Sequence, residues 1–360
     1  MRIGTESRLV FLLMLIVLIL LLLYFFFGSS VENINSKNIA VFFLDGTGSY
    51  YLSVYPELVP EALNGEVLLK ASTPNLEQFK EKGIIGGITV NFPSTTESHA
   101  MTYLAGECIS PTQTKSCVDA VGIVSFCDLG KRYGYTCIMV SQGGDFQEGL
   151  GEFDVVFHDQ SFNEYEIIVN NKSALTNSLE SFFLSWKENL NYYIPSSDED
   201  KVEKYSLYSA YLIELDADLI DYLEKNFPEE KYILFSNIKG NDSCGHNTNA
   251  TGYAECIEAL DSSMGQLIEV IEEQEELISV ISSDHGMAFD CLLCKGHHQS
   301  PPHNSMEESL VVPFILHGGG IGKLVQEMNS FDFFPTVFGY AGINNSCDKM
   351  RYCEGKDLSS

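Results

Sequence analysis

The longest apolar stretch of the chain is an unbroken run over residues 9–27, and no other run approaches it. Beyond a polar stretch at 28–37, short runs rich in β-branched and aromatic residues recur at 38–44, 84–92, 136–141, 153–157, 232–237, 277–282 and 310–316. Each has the length and composition of a buried strand. Helical patterns lie between them. Residues 74–82 read as a helix opened by Thr73 as N-cap and closed before Gly83, and 94–105 as a loop leading into a helix with Glu97 in its first turn. An amphipathic helix is expected at 251–273 and a last helix at 331–341. Strands alternating with helices predict an α/β fold with a largely parallel sheet. Residues 173–227 are long, acidic, aromatic and helical, interrupted by Pro195 and the cluster Asp198, Glu199, Asp200, Lys201. They form either a helical insertion or the covering helices of the sheet itself. No internal repeat is visible.

The run at 9–27 can cross the hydrocarbon layer as a helix, for which about 20 residues suffice. Arg2 and Arg8 precede it and Glu32 is the first charge after it, so the positive-inside rule puts the N-terminus in the cytosol. A cleaved signal peptide has an apolar region of about 7–15 residues with small residues at the cut, whereas this run is longer and ends in Phe25, Phe26 and Phe27. The sequence therefore predicts a cytosolic tail at 1–8, a transmembrane signal anchor at 9–27, a stalk at 28–37, a lumenal or extracellular domain at 38–345 and a C-terminal tail at 346–360. Ten cysteines fit that compartment, where an even number pairs into disulfides. Asn171, Asn241, Asn249 and Asn344 head glycosylation triplets.

With 360 residues and 45% hydrophobic composition the chain can bury a full α/β core, which excludes a disordered or fibrous protein. A formal charge of −29 excludes a binder of nucleic-acid backbones, which needs clustered Lys and Arg. An enzyme handling phosphate in so acidic a chain must supply positive charge locally, and bound metal ions do this.

Five polar clusters follow the predicted strands: Asp45, Thr95 with Thr96, Asp242 with His246, Asp284 with His285, and His297 with His298. Ligand sites in open α/β sheets collect at the carboxyl ends of strands. Mixed carboxylate and imidazole sets suit zinc-like ions and two-metal centres.

The order of these clusters resembles the alkaline phosphatase superfamily, particularly its nucleotide pyrophosphatase/phosphodiesterase and phosphoethanolamine transferase branches. Val41-Phe42-Phe43-Leu44-Asp45-Gly46 is similar to the first strand and its closing Asp, and Asp242-Ser243-Cys244-Gly245-His246 matches Asp-x-x-x-His. Ser283-Asp284-His285-Gly286-Met287 matches the Asp-His pair, and Gly296-His297-His298 looks like the final Gly-x-His. His297 and His303 remain alternatives to His298, because this stretch is longer than the usual pattern and contains Cys291 and Cys294, a pair read as a disulfide rather than a metal site. The resemblance covers nearly all of residues 38–341. It implies a three-layer α/β/α fold and two divalent ions, zinc by expectation, with Asp242, His246 and His298 on one and Asp45, Asp284 and His285 on the other. It also implies that Thr96, ten residues before Gly106, is the nucleophile beside the second ion. A glycan on Asn241 would crowd such a centre, so that triplet is expected to be unoccupied.

The implied activity is phosphoester hydrolysis of the phosphodiesterase or pyrophosphatase type, on a small-molecule or lipid substrate, through a phosphothreonine. Ser94-Thr95-Thr96-Glu97-Ser98 lacks the Pro and Arg of the sulfatase signature C/S-x-P-x-R, and Thr95 stands where monoesterases usually place an Asp. Phosphoethanolamine transferases also use Thr but typically carry several spans, and phosphomutases of the metalloenzyme branch are soluble. A noncatalytic module of the same fold is the remaining alternative. An uncleaved anchor predicts that the full-length chain stays with membranes through alkaline carbonate extraction. Release of a chain lacking residues 9–27 would establish the signal peptide instead.

Overall fold

Every residue from Ile39 to Leu44 is fully buried, and alternate side chains of this strand serve opposite layers. Ala40, Phe42 and Leu44 join one apolar cluster, while Ile39, Val41 and Phe43 join the other. A strand buried on both faces needs helices on both sides, so the position of strand one dictates three layers. The computed structural model describes residues 36–90, 94, 96, 125–143, 151–159, 164–189, 200–318, 325–344 and 355–359. The predicted anchor at 9–27 lies outside these, and among the described residues no helix is long and apolar enough to cross a membrane.

In chain order the elements are β1 (Asn38–Leu44), α1 (Pro74–Glu81), β2 (Ile84–Thr89), α2 (Phe126–Arg132), β3 (Tyr135–Ser141), β4 (Val155–Asp159), β5 (Tyr165–Val169) and α3 (Ala174–Asn189). They continue with α4 (Lys201–Asn226), β6 (Lys231–Ile238), α5 (Gly240–Asn247), α6 (Ala250–Glu272), β7 (Leu277–Ser282), β8 (Ala288–Phe289), β9 (Gly296–His297), β10 (Val311–His317), β11 (Val325–Asn329) and α7 (Phe333–Tyr340). Nine strands form one sheet in the order β11-β2-β10-β7-β1-β6-β3-β4-β5, and β8 pairs with β9 in a small hairpin. β1 runs parallel to both β6 and β7, and β6–β3 and β3–β4 are parallel as well. Only β5 and β10 run against this direction, which makes the sheet largely parallel as expected.

The cluster beneath Phe42 takes its helical side chains from α1, α3, α4 and α6, among them Phe79, Phe183, Leu212 and Leu260. The opposite cluster takes Phe126 and Leu129 of α2 and Phe333, Phe334 and Phe338 of α7. Each such side chain contributes about 1.5–3 kcal/mol on burial. Within residues 173–227, α4 buries Leu212, Leu215, Leu219 and Leu223 in the same apolar cluster as Phe42.

Several boundaries differ from expectation. The second strand ends at Thr89 rather than at residue 92, the 251–273 helix starts one residue earlier on an Asn249 cap, and the last helix begins as a 3₁₀ turn at Ser330–Asp332. β5 was not anticipated; it is a short antiparallel edge strand in which Tyr165 is buried and Glu166 exposed. Cys244 pairs with Cys256 and Cys291 with Cys294, but Cys127 and Cys137 are free and buried, which corrects the expectation that all cysteines pair. Cys108, Cys117, Cys347 and Cys353 lie outside the described residues.

Thr73 occupies the N-cap of α1 as expected, yet its side chain makes no cap bond. Asp261 of α6 takes over: Oδ1 accepts the Leu76 N–H at 2.9 Å and Oδ2 the Asn75 N–H at 3.0 Å. With Asp261 1% exposed, these donors have no access to water in its place. Replacing Asp261 by Ala should therefore lower stability by about 1–3 kcal/mol in urea unfolding, more than Thr73→Ala does. An unchanged midpoint would show that α1 holds its start without this contact.

Candidate metal centre

The site assembles where parallel strands end. β1 delivers Asp45, and Gly46 follows with φ +73 and so close to α5 that a Cβ there would stand 2.7 Å from the Asp242 Cα. β6 leads into α5, whose spacing of four places Asp242 and His246 on one face, Nε2 to Oδ1 at 3.3 Å. β7 ends at Ser282 and hands over Asp284 and His285. Between them Ser283 Oγ accepts the Thr47 N–H at 3.0 Å and donates to the Leu44 carbonyl at 2.7 Å, locking the ends of β1 and β7 together. The β8–β9 hairpin presents His298.

Ligand atoms of Asp242, His246 and His298 lie within 4.8 Å of one another, and so do those of Asp45, Asp242 and His285. Asp242 Oδ1 is 3.3 Å from His298 Nε2 and 4.0 Å from His285 Nε2, and Asp45 Oδ1 is 3.6 Å from His285 Nε2. The geometry departs from the expected partition in one respect: Asp242 reaches both groups, and Asp284 stands beside the second. Asp284 Oδ1 accepts the N–H of Gly46 at 3.2 Å and of His285 at 2.9 Å, and its Oδ2 is 3.4 Å from His285 Nε2. Of the three candidate last histidines, His298 points into the cluster. His303 instead bonds Asp290 at 3.1 Å, and His297 is exposed.

Three ring tautomers follow from their partners. His246 Nδ1 donates to the Gly296 carbonyl at 3.1 Å, His298 Nδ1 to Ser94 at 2.7 Å and His285 Nδ1 to Gly286 at 3.0 Å. A carbonyl only accepts, so Nδ1 carries the proton and each neutral ring turns an Nε2 lone pair toward the centre. The Nε2 atoms of His246 and His298 are 3.0 Å apart, a distance at which two lone pairs repel unless a proton or a cation lies between them. Buried carboxylates and imidazoles with converging lone pairs fit a divalent ion.

Without an ion, protons on Nε2 take its place. Burial alone would raise the Asp242 carboxyl, but hydrogen bonds from His246 and His298 and the nearby imidazoles hold it well below the usual carboxylate range. Burial pushes His285 down to about 4, against the pull of Asp284. His246 moves up, because the Asp242 carboxylate outweighs the effect of its own burial.

Thr96 is 7% exposed, and its hydroxyl donates to His285 Nε2 at 3.0 Å. Thr95 and the residues following Thr96, where helix N–H groups were expected, lie outside the described residues. Ser94 binds His298 twice, its carbonyl accepting from Nδ1 and its Oγ donating to the main-chain carbonyl at 2.9 Å. Asn241 is 1% exposed with Nδ2 on Thr47 Oγ1 at 2.9 Å, leaving that amide no room for a glycan. Two residues at the site escaped sequence reasoning. Asn237 donates to Asp45 Oδ2 at 3.3 Å, and the Lys239 ammonium stands 3.9 Å from the same oxygen. Their only signal was a polar residue and a cation at the end of β6 in a very acidic chain.

Groups that could hold a metal ion thus stand at the carboxyl edge of a largely parallel sheet. A family model described as "Metalloenzyme superfamily" matches residues 169–333, which hold Asp242, His246, Asp284, His285 and His298 but not Asp45 or Thr96. Phosphopentomutase from Proteus mirabilis is 27% identical over 124 residues, 34% of this chain and 27% of that one. The match thus spans about a quarter of the curated relative's length. Lipoteichoic acid synthase LtaP from Listeria monocytogenes superposes with a TM-score of 0.56 at 13% identity, covering 92% of this chain and 80% of that one. A protein in the alkaline phosphatase superfamily from Vibrio parahaemolyticus gives 0.53 at 13% identity, with 86% and 67% covered. The PsFucS1 sulfatase from Pseudoalteromonas sp. gives 0.57 at 16%, with 90% and 71% covered. The resemblance to the alkaline phosphatase superfamily is borne out in the fold and in the partial family-model match.

The His285 shift has a sign that can be tested. Between its folded value of about 4 and the ordinary 6.5, the unfolded chain binds a proton that the folded chain does not. Stability of the metal-free protein should therefore climb as pH rises across that window, and His285→Asn should flatten the climb. His246 works in the opposite sense: its contribution is complete below pH 6.5 and is lost as pH rises through its higher folded value. An unaltered pH profile for His285→Asn in urea titrations would disprove the burial argument.

Proposed function

We propose that the chain is a metal-dependent phosphoester hydrolase of the phosphodiesterase or pyrophosphatase type, acting through Thr96 at a centre for two divalent ions. The observation that carries this reading is the hydrogen bond from Thr96 Oγ1 to His285 Nε2, which ties a potential nucleophile to the carboxylate and imidazole cluster. Asp242, His246 and His298 would hold one ion and Asp45, Asp284 and His285 the other, with Asp242 reaching both; carboxylate and imidazole donors suit zinc. Bound there, the ions supply the Lewis acidity that makes a hydroxyl nucleophilic near neutral pH and offsets charge on phosphoryl oxygens.

The chain's own residues then have defined tasks. His285 orients the Thr96 hydroxyl, whose proton passes to solvent as Oγ1 attacks phosphorus. The Oγ1–P bond forms while the bond to the leaving oxygen breaks, and the leaving group departs as an alcohol after taking up a proton. A water beside Asp242, His246 and His298 next attacks the phosphothreonine, which restores the Thr96 hydroxyl and releases the phosphorylated product. The anchor at 9–27 would set this chemistry on the non-cytosolic side of a membrane.

Sulfate esters are disfavoured although PsFucS1 shares the fold, because residues 94–98 lack the Pro and Arg of the sulfatase signature. The apolar run at 9–27 and the likeness to LtaP support a second reading, in which an alcohol of a membrane lipid or glycan replaces water as acceptor, as in phosphoethanolamine transfer. Residues 37–360, loaded with zinc, should cleave an aryl phosphodiester faster than an aryl phosphomonoester or sulfate. Thr96→Ala should lose at least about a thousand-fold in kcat with its metal content intact. A Thr96→Ala protein as active as its parent would overturn the nucleophile, and a parent that binds no metal would favour a noncatalytic module.

A further inference from the structure

The exposed apolar side chains of this acidic protein are concentrated in one place. Among the described residues, six large hydrophobic side chains face water, and all but Leu184 belong to two adjoining loops: Val59, Leu63, Val67 and Leu69 in one, Leu293 in the other. The first loop is a narrow hairpin. Glu61 pairs antiparallel with Val67, the Ala62 N–H donates to the Glu66 carbonyl at 2.8 Å, and the Leu68 N–H donates to the Pro60 carbonyl at 2.9 Å. Opposed residues share a face and successive residues alternate, so Ala62 and Leu68 turn into the core while Val59, Glu61, Leu63, Val67 and Leu69 turn outward.

The second loop is fastened to the hairpin tip. The N–H groups of Leu63 and Asn64 donate to the carbonyls of Phe289 and Asp290 at 2.9 and 3.2 Å, and the Leu292 N–H donates to Glu66 Oε2 at 2.9 Å. The Cys291–Cys294 disulfide closes this loop and leaves Leu293 79% exposed. From the same loop Asp290 binds His303 at 3.1 Å, the His303 ring is 5.2 Å from that of His297, and His297 is 6.3 Å from His246 of the first ligand group. A continuous series of contacts therefore joins the apolar face to the candidate metal centre.

A stable protein interface engages about 20–30 residues a side, far more than this face offers. A bilayer makes no such demand on a domain that is already tethered, because a few apolar side chains suffice to seat it. The tether is long enough. β1 has 7 residues from its start at Asn38 to the carboxyl edge, a rise of about 23 Å, whereas residues 28–37 can span up to about 36 Å. Glu57, Glu61, Glu66 and Asp290 are exposed on the two loops against a single exposed cation, Lys295, since Lys70 is half-buried with its ammonium on the Tyr55 and Leu58 carbonyls. Such a face is repelled by anionic lipid and suits a zwitterionic surface. We propose that the outer face of the hairpin and Leu293 dock in the headgroup region of a zwitterionic membrane, so that the candidate metal centre takes a lipid phosphoester from that membrane. The proposal rests on the phosphoester and anchor readings above and adds the source of the substrate.

The test uses the full chain inserted in phosphatidylcholine vesicles. Trp186 is the only tryptophan, so Leu293→Trp adds a second indole on the docking face. Brominated acyl chains should quench the added emission, anionic phosphatidylglycerol should weaken that quenching, and Val67→Asp combined with Leu69→Asp should abolish it. With Leu293 restored, the two Asp substitutions should raise KM for a lipid phosphodiester in the vesicles about ten-fold and leave KM for a water-soluble aryl phosphodiester unchanged. An indole that is not quenched would overturn the docking, as would quenching that survives both Asp substitutions. So would crosslinking of the chain into a dimer that those substitutions dissociate, because a second copy would then cover the face. An unchanged KM for the lipid ester would overturn the membrane as the source of substrate. A quenched chain that cleaves neither ester keeps the docking and removes the phosphoester reading, whereas cleavage of the aryl ester without quenching does the reverse.

Discussion

Three carboxylates of like charge, Asp45, Asp242 and Asp284, are buried together at one edge of the sheet, the first and last of them with no measurable exposure. Burying a single unpaired carboxylate costs several kcal/mol, and neighbouring like charges add to that cost. The rest of the structure near the edge can be understood as the arrangement that makes this burial tolerable. Imidazole nitrogens converge on Oδ1 of Asp242, backbone N–H groups of Gly46 and His285 bind Asp284, and Asn237 and Lys239 attend the outer oxygen of Asp45. Polar burial on this scale serves no packing purpose when the strands below it are apolar throughout. It marks the edge as the candidate metal site.

The parallel sheet supplies the precision. β6, β1 and β7 are in register, so their ends fall at one level and the residues immediately beyond them are neighbours across nearly 240 positions of sequence. Ser283 stitches two of these ends, and Gly46 lets the third close against α5. Side chains held by such short connections lose little freedom when a ligand arrives, which is the condition for a preorganised site.

Much of this was legible in the sequence because the signals are local. Apolar runs of strand length marked β1, β3, β6, β7 and β10, and candidate ligands come soon after three of them: Asp45 after β1, Asp242 after β6 and Asp284 after β7. What was not legible depends on pairing between distant segments. β5 is a five-residue edge strand with one buried side chain, Tyr165, and its place in the sheet depends on pairing with β4. Thr73 is a good N-cap by type, yet Asp261, nearly two hundred positions away, does the capping. Lys239 reads as one cation in an acidic chain until the end of β6 is seen to bring its ammonium 3.9 Å from Asp45 Oδ2. The choice of His298 over His297 and His303 likewise depended on where a two-residue hairpin points each ring.

The double contact between Ser94 and His298 ties the segment bearing Thr96 to a ring of the first ligand group. Ring and segment are thus one mechanical unit: an ion that fixes the His298 ring also fixes the main chain two residues before Thr96. Free-energy coupling of this kind is reciprocal. On the proposed function, whatever factor an ion at His298 contributed to the affinity of a ligand on Thr96, the ligand would return the same factor to the ion, and substrate itself would help to retain the ion.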